Sequence, residues 1–140
     1  YLTIELKGSI PAELRPLMGN RIYGCDDCQV VCPWNRFARP SEESDFQPRH
    51  ELDSATLLRL FAWSEETFLE RTEGSAIRRT GYEGWLRNIA VALGNLDLSA
   101  VADPDAVISA LNHHSSHASA VVREHCEWAL SRHEKRSSGL

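Results

Sequence analysis

The amino-acid sequence predicts a mainly α fold in which the helices stack as α-hairpins. From Ser54 to the end of the chain, apolar residues recur at helical spacing in four or five segments of about ten to fifteen residues. Start and stop signals bracket these segments: Ser or Asp-Pro precedes them, and Gly-Asn follows the best-marked one. Such amphipathic helices bury their apolar faces by packing in pairs, so an α-hairpin stack is expected.

The part of the chain before these helices gives three further predictions. The stretch LTIEL is β-prone and predicts a short strand-like segment. Pro11 suits a first helical position and Gly19 a helix end, which predicts a helix between them. After the cysteines, RPSEESDFQPRHELDS mixes prolines, serines and charges without periodicity, which predicts a surface connection.

Capping residues mark the helices that follow. Ser64 is the predicted N-cap of EETFLER, and Leu69 of that helix is expected to face inward. Thr80 and Glu83 form a T-x-x-E capping box before the best-marked helix, which a Gly-Asn pair ends. Asp103 and the proline after it predict the start of another helix, and a last amphipathic helix follows the polar stretch NHHSSHAS.

Composition and charge bound the class of protein. The chain has 140 residues, of which 42% are hydrophobic and 25% charged, as expected for one compact globular unit or two small ones. It contains no run of eighteen apolar residues and no leader-like start, so neither a transmembrane helix nor a signal peptide is predicted, and we expect a cytoplasmic location. The net charge of −5 argues against bulk electrostatic binding of nucleic acid but leaves room for a local basic face.

Three cysteines are clustered in the motif Cys25-x2-Cys28-x3-Cys32-Pro33. A disulfide explains them poorly, because a reducing compartment is expected and one thiol would stay unpaired. A structural zinc site needs four ligands, and the nearest histidine in sequence, His50, lies outside the usual spacing. The end of the motif matches the C-x3-C-P of bacterial two-cluster ferredoxins, so iron–sulfur ligation is favoured, while zinc and plain thiols stay open.

The chain contains, in this order, the stretches YLTIELKGSIPAELRPLMGNRIYGCDDCQVVCPWNRF, GSAIRRTGYEGWLRNIAVALGN and VVREHCEWAL. Together they resemble the C-terminal part of bacterial epoxyqueuosine reductases, which are iron–sulfur and cobalamin enzymes of tRNA queuosine synthesis. The resemblance implies that Cys25 and Cys28 ligate one [4Fe–4S] cluster and Cys32 a second. It also implies that the other five ligands, the cobalamin domain and the acidic proton donor lie upstream of Tyr1.

The resemblance also implies a division of the chain. Residues 1–40 would be the end of a ferredoxin-like domain with two [4Fe–4S] clusters, 41–53 a connection, 54–136 a HEAT-like helical domain that binds tRNA, and 137–140 a tail. The whole protein would reduce epoxyqueuosine to queuosine at the wobble position of a tRNA anticodon stem-loop, with electrons from a separate donor. The 140-residue chain by itself is expected to be inactive, because it would hold only three of the eight cluster ligands and neither the cobalamin domain nor the proton donor.

Further site residues are predicted from the same resemblance. Asp26 and Asp27 lie between two ligands and are candidates for contact with cobalamin, against the alternative of a solvated turn. The candidates for tRNA contact surround the start of the best-marked helix, where a helix N-terminus also favours phosphate. They are Arg78, Arg79, Arg87 and Asn88. Lys7 is a further candidate for a different reason, since it follows the β-prone segment beside the expected cofactor domain. The alternative for the arginines is ion pairing with Glu70, Glu73 or Glu83.

Two other interpretations are kept. Trp34 and Phe37 either shield a cluster from water or belong to an ordinary core. His113, His114 and His117 do not match a standard metal site, so a packing or surface role is favoured for them. If the resemblance did not hold, the chain would be a non-catalytic helical module that binds RNA or protein, with a zinc-stapled N-terminal knuckle.

Overall fold

A computed structural model describes residues 1–44 and 47–138 of the chain. Within these ranges the chain is mainly α-helical and forms no strand, which confirms the predicted class. In the described ranges the α-helices are accompanied by the 3₁₀ segments Pro33–Phe37, Ala76–Thr80 and Leu98–Ala100. The helices are α1 (Arg15–Met18), α2 (Asp27–Val30), α3 (Leu57–Phe61), α4 (Glu65–Arg71), α5 (Gly81–Asn95), α6 (Pro104–His114) and α7 (Ala120–Ser137).

Helix α5 is the centre of the fold, and every residue from Trp85 to Gly94 is buried. Helix α7 runs beside it in the same direction, since Ser119 reaches the start of α5 and the His133 ring meets the Leu93 carbonyl near its end. The two helices approach closely at Gly94, where a Cβ atom would lie 2.7 Å from the Trp128 ring. Glycine is therefore required there for the observed packing.

An aromatic cluster joins α3 and α4 to α5. The rings of Trp63 and Trp85 stack at 5.5 Å between centroids, and Phe68 lies 5.7 Å from Trp85. The Trp85 indole N–H donates to the Leu60 carbonyl at 3.2 Å, and the Tyr82 hydroxyl donates to the Trp63 carbonyl at 2.7 Å. The polar atoms of these rings are thus satisfied while their apolar faces are buried, which stabilises the helical part.

Two predicted N-caps are confirmed and one capping box is wrong. Ser64 accepts from the Thr67 amide and Asp103 from the Ala106 amide, as expected for N-caps. Thr80 makes no side-chain cap: its hydroxyl donates to the Thr3 carbonyl at 3.4 Å. The Glu83 carboxylate accepts a 2.6 Å hydrogen bond from the Ser119 hydroxyl. The capping box fails because these tertiary contacts occupy the side chains of both Thr80 and Glu83.

The prediction of a strand-like segment in LTIEL is also wrong. The amides of Ile4, Glu5 and Leu6 all donate to the Tyr1 carbonyl, which closes a turn. The reason is tertiary, because buried side chains of α5 take carbonyls that a strand would pair with another strand. The helix expected after Pro11 is limited to α1, although Gly19 ends it with a φ of 60° as predicted.

Three smaller expectations complete the fold. Leu69 is 40% exposed, so it does not face inward as predicted. The connection over 41–53 has no α-helix in the part that the structure describes, but Asp45 and Phe46 lie outside the described residues. Residues 139 and 140 of the predicted tail also lie outside them. Among the described residues, no helix combines the length and the apolar character that crossing a membrane requires.

Candidate metal centre

The three clustered cysteines lie on an exposed turn at the edge of the fold. Cys25 and Cys28 are exposed, Cys32 is half-buried, and all three are free thiols. The chain turns sharply through left-handed backbone conformations at Gly24 (φ 67°) and Asp26 (φ 53°), and α2 then begins. This turn places two thiols close together on the surface, where a shared metal group could reach them.

A cavity of about 460 Å³ lies against this turn and is lined by Cys25 and Cys28 together with Tyr1, Leu17 and Arg21. Among the described residues, no three His, Cys, Asp or Glu side chains converge on one point. Thiolates are the donors that iron–sulfur clusters use, so the donor set fits such a group chemically. Three thiols are fewer than the four ligands that one [4Fe–4S] cluster needs, so other residues must complete the site.

The two aspartates of the turn differ in their surroundings. Asp27 accepts from the Arg21 guanidinium through both carboxylate oxygens, at 2.9 and 3.1 Å. This hydrogen bond raises the pKa of Arg21 above its ordinary value. Asp26 is exposed, and its carbonyl accepts the amides of Gln29 and Val30. The described contacts of Asp27 are those of a surface turn, and its predicted contact with cobalamin stays a prediction.

An apolar surface surrounds the cysteine turn. Val30 and Val31 are each 77% exposed and Trp34 is 74% exposed, values far above those of core residues. Trp34 and Phe37 contact each other at 5.6 Å between ring centroids, so neither belongs to the helical core. Soluble proteins seldom leave adjacent large apolar side chains in water, which makes this surface a candidate contact region.

The segment that precedes the cysteine turn is fixed by hydrogen bonds. The Asn88 amide donates to the Ile22 carbonyl at 2.8 Å, the Tyr23 hydroxyl to the Ala76 carbonyl at 2.9 Å, and the Gly24 amide to the Thr3 hydroxyl at 2.9 Å. Thr3 and Tyr23 carried no signal in the sequence, because neither belongs to a motif and their partners are distant in sequence.

Arg87 and Asn88, two of the predicted tRNA contacts, are buried inside the fold. Arg87 is 2% exposed, and its guanidinium donates to the carbonyls of Leu2, Leu6 and Gly8, each at 2.8 Å. Burial lowers the pKa of this group, yet the surrounding oxygens satisfy its charge. Since both side chains are already saturated with internal partners, the structure gives them an internal role and leaves no free donor for RNA.

The other three predicted tRNA contacts lie on the surface. Arg78 and Arg79 are exposed in the segment Ala76–Thr80, and Arg79 pairs with Glu5 at 2.8 Å. Lys7 is also exposed, and its ammonium donates to the carbonyls of Arg79 and Thr80 at 3.1 and 3.2 Å. The ion pair therefore involves a carboxylate of the N-terminal turn, whereas the sequence had named Glu70, Glu73 and Glu83 as partners.

His114, His125 and the fourth cysteine have packing roles. His114 contacts the Phe61 carbonyl at 3.1 Å, and its ring lies 6.0 Å from that of His117. The buried His125 accepts from the Ile10 amide at 3.1 Å, and burial lowers its pKa to about 4. Burial also raises the pKa of the Cys126 thiol to about 12, so this cysteine stays protonated and unreactive.

Comparison with known proteins identifies what the chain is similar to. Residues 1–35 match the family model of a 4Fe-4S double cluster binding domain. An epoxyqueuosine reductase from Pseudomonas aeruginosa is 63% identical over 133 residues, which cover 95% of this chain and 36% of that protein. The epoxyqueuosine reductase of Escherichia coli is 54% identical over 136 residues, covering 97% of this chain and 34% of that protein.

Solved structures agree with the sequence comparison. A crystal structure of epoxyqueuosine reductase with a tRNA-TYR epoxyqueuosine-modified tRNA stem loop matches 91% of this chain with a TM-score of 0.78 and 29% identity. A structure of epoxyqueuosine reductase from Bacillus subtilis matches 91% of it with a TM-score of 0.74 and 30% identity. The chain spans about a third of each of these proteins. The predicted resemblance is confirmed over nearly the whole chain, which is similar in sequence and in fold to about one third of an epoxyqueuosine reductase.

Proposed function

We propose that this chain is part of an epoxyqueuosine reductase and supplies cluster ligands and tRNA contacts to it. One observation carries the proposal: the segment that matches a double-cluster 4Fe-4S model contains three free thiols, two exposed and one half-buried, in a chain 63% identical to an epoxyqueuosine reductase. The proposed division of the chain is 1–40 for the cluster domain, 41–53 for the connection, 54–136 for the HEAT-like tRNA-binding domain and 137–140 for the tail.

In this proposal Cys25 and Cys28 ligate one [4Fe–4S] cluster, and Cys32 ligates the second. Asp26 and Asp27 would contact the cobalamin if it binds beside this turn. When bound, the clusters and cobalamin would supply two electrons which, together with two protons, convert epoxyqueuosine at the tRNA wobble position to queuosine and release the epoxide oxygen as water. The remaining ligands, the cobalamin domain and the proton donor belong to the rest of the protein, so the 140-residue chain alone is inactive. A separate electron donor would reduce the clusters, and the reaction would take place in the cytoplasm.

The exposed residues Arg78, Arg79 and Lys7 form the proposed contact with the anticodon stem-loop. Their charges suit phosphate oxygens, which supply most of the affinity of a protein for RNA. The Tyr23 hydroxyl binds the Ala76 carbonyl of the segment that carries both arginines, so this surface adjoins the cysteine turn. A tRNA held here has its wobble nucleotide near the clusters. The apolar surface around Val30, Val31 and Trp34 packs against the rest of the protein.

The test compares cysteine variants of the full-length protein after anaerobic reconstitution. The wild type is expected to hold about eight irons and to reduce epoxyqueuosine in tRNA, since two [4Fe–4S] clusters contain eight. Cys25→Ala, Cys28→Ala and Cys32→Ala should each lower the iron content and abolish the reaction. Cys126→Ala is the matched control, because its thiol is buried and protonated, and it should retain iron and activity.

The alternative module gives a different result in the same experiment. If the 140-residue chain takes up one zinc and no iron, and the full-length wild type also lacks iron, the reductase proposal fails. A zinc-stapled binding module then becomes the better account, since structural zinc sites fold with their metal and need no further cofactor.

A further inference from the structure

The three residues before Cys25 are each tied to a different part of the fold. In residues 22–24, named the anchor segment here, the Ile22 carbonyl, the Tyr23 hydroxyl and the Gly24 amide each make a hydrogen bond. Their partners are Asn88 in α5, the Ala76 carbonyl and the Thr3 hydroxyl, all within 2.9 Å. The chain therefore enters the cysteine turn from a fixed position.

Asn88 can hold its contact in only one orientation. Its side-chain oxygen accepts from the Arg87 guanidinium at 2.9 and 3.1 Å, while its amide donates to the carbonyls of Thr3 and Ile22 at 2.8 Å each. A guanidinium only donates, so it fixes which end of the Asn88 amide faces the anchor segment. Asn88 is fully buried, and a rotation would leave buried polar atoms unpaired.

Thr3 is held by the same network. Its backbone carbonyl accepts from the Asn88 amide, and the backbone carbonyls of Leu2 and Leu6 on either side accept from Arg87. The turn that carries Thr3 is thus bound to the most buried helix of the fold. Its hydroxyl in turn accepts from the Gly24 amide, next to Cys25.

Beyond the anchor segment the character of the contacts changes. In the described part of residues 25–44, each side-chain hydrogen bond is local, such as those from Arg21 to Asp27, from Asn35 to the Gln29 carbonyl and from the Glu43 amide to Ser41. The anchor segment therefore provides the long-range hydrogen bonds that locate the cysteine turn relative to the helices in this part of the structure.

We propose that Thr3, Tyr23 and Asn88 are positioning residues for the cluster ligand Cys25. Asn88 and Thr3 connect the turn that carries the thiol to α5, and Tyr23 connects it to the segment Ala76–Thr80, so that a bound cluster would meet a ligand already in place. Residues that orient metal ligands from behind contribute strongly to metal retention. This inference rests on the proposed function, because it presumes that Cys25 ligates a cluster.

The test uses the full-length protein with conservative variants. Tyr23→Phe and Thr3→Val each remove one anchor with little change of shape, and both should speed iron loss to a chelator about 10-fold. They should also change the electron paramagnetic resonance spectrum of the reduced protein. Tyr82→Phe is the matched control, since it removes a 2.7 Å tyrosine-to-carbonyl hydrogen bond within the helical core. Thr3→Ser keeps the hydroxyl, so this variant and the Tyr82→Phe control should lose iron at rates within about twofold of wild type.

The outcomes separate this inference from the proposed function. If the wild type holds its iron but Tyr23→Phe and Thr3→Val match Tyr82→Phe in both readouts, the positioning role is overturned and the proposed function stands. If the wild type holds no cluster, the proposed function fails and this inference fails with it. Far-UV circular dichroism checks that each variant folds, and Tyr23→Phe decides the question alone if Thr3→Val does not fold.

Discussion

The helical part and the cysteine turn of this chain differ in how far their side chains are buried and paired. Around α5 the aromatic rings are buried and their polar atoms paired, whereas Val30, Val31 and Trp34 near the turn stand 74–77% exposed. Side chains in the first region have their partners within the chain. In the second region, three thiols and a set of apolar side chains have few partners among the described residues. The difference indicates that the helical part supplies the stability while the turn supplies a surface to be completed by other groups.

The largest expected effect compares two tryptophans. Trp85→Ala should destabilise the 140-residue chain by about 3–5 kcal/mol, because it empties a fully packed site. Trp34→Ala is the matched control in the exposed region and should change stability by less than about 0.5 kcal/mol. Urea denaturation followed by circular dichroism measures both. Equal losses for the two variants would mean that the turn is part of the core, which breaks the comparison.

A second comparison uses two arginines that the sequence could not tell apart. Arg87→Ala should cost at least about 2–3 kcal/mol, since it leaves three backbone carbonyls without their donor. The exposed Arg78→Ala should leave stability unchanged and weaken binding of an anticodon stem-loop by the full-length protein. Each lost phosphate contact should reduce the salt dependence of binding by about one unit of slope. Unchanged RNA affinity and salt slope for Arg78→Ala would remove this residue from the proposed tRNA surface.

The third and smallest effect is a pH dependence that belongs to the helical part. Burial lowers the pKa of His125 from 6.5 to about 4, and it lowers those of His114 and His133 as well. The unfolded chain then binds protons more readily than the folded one. The stability that neutral His125 contributes is complete above about pH 6.5 and is lost as the pH falls toward 4, by about 1–2 kcal/mol at pH 5.

Denaturation midpoints between pH 7 and pH 5 measure this loss. His125→Gln has no group that titrates in that range and should flatten the curve, although its stability at pH 7 is expected to be lower. A curve for His125→Gln that is as steep as that of the wild type would assign the effect to other residues.

Local signals accounted for the helices well. Ser64 and Asp103 cap helices as predicted because an N-cap bond joins residues only three apart, so the interaction is written within the local sequence. The helical spacing of apolar residues likewise predicted α5, because residues three and four apart share one face of a helix. Gly19 ended α1 as expected, since its φ of 60° is a local property of the chain.

Long-range contacts account for the predictions that failed. Thr80 and Glu83 have the right spacing for a capping box, but Thr3 and Ser119 take their side chains. Arg87 has the same side chain as Arg78, and no local pattern shows that three carbonyls some eighty residues away surround it. Of the predicted RNA contacts, only the exposed Lys7, Arg78 and Arg79 therefore remain candidates.

The α class, the positions of the main helices and the spacing of the three thiols could be predicted from the sequence, because they depend on periodicity, caps and order along the chain. The turn at LTIEL, the burial of Asn88 and the contacts of Thr3 and Tyr23 before Cys25 became visible only in the folded chain. A buried donor must find an acceptor wherever the fold brings one. Which acceptor it finds depends on tertiary packing, and the residues close to it in sequence do not show this.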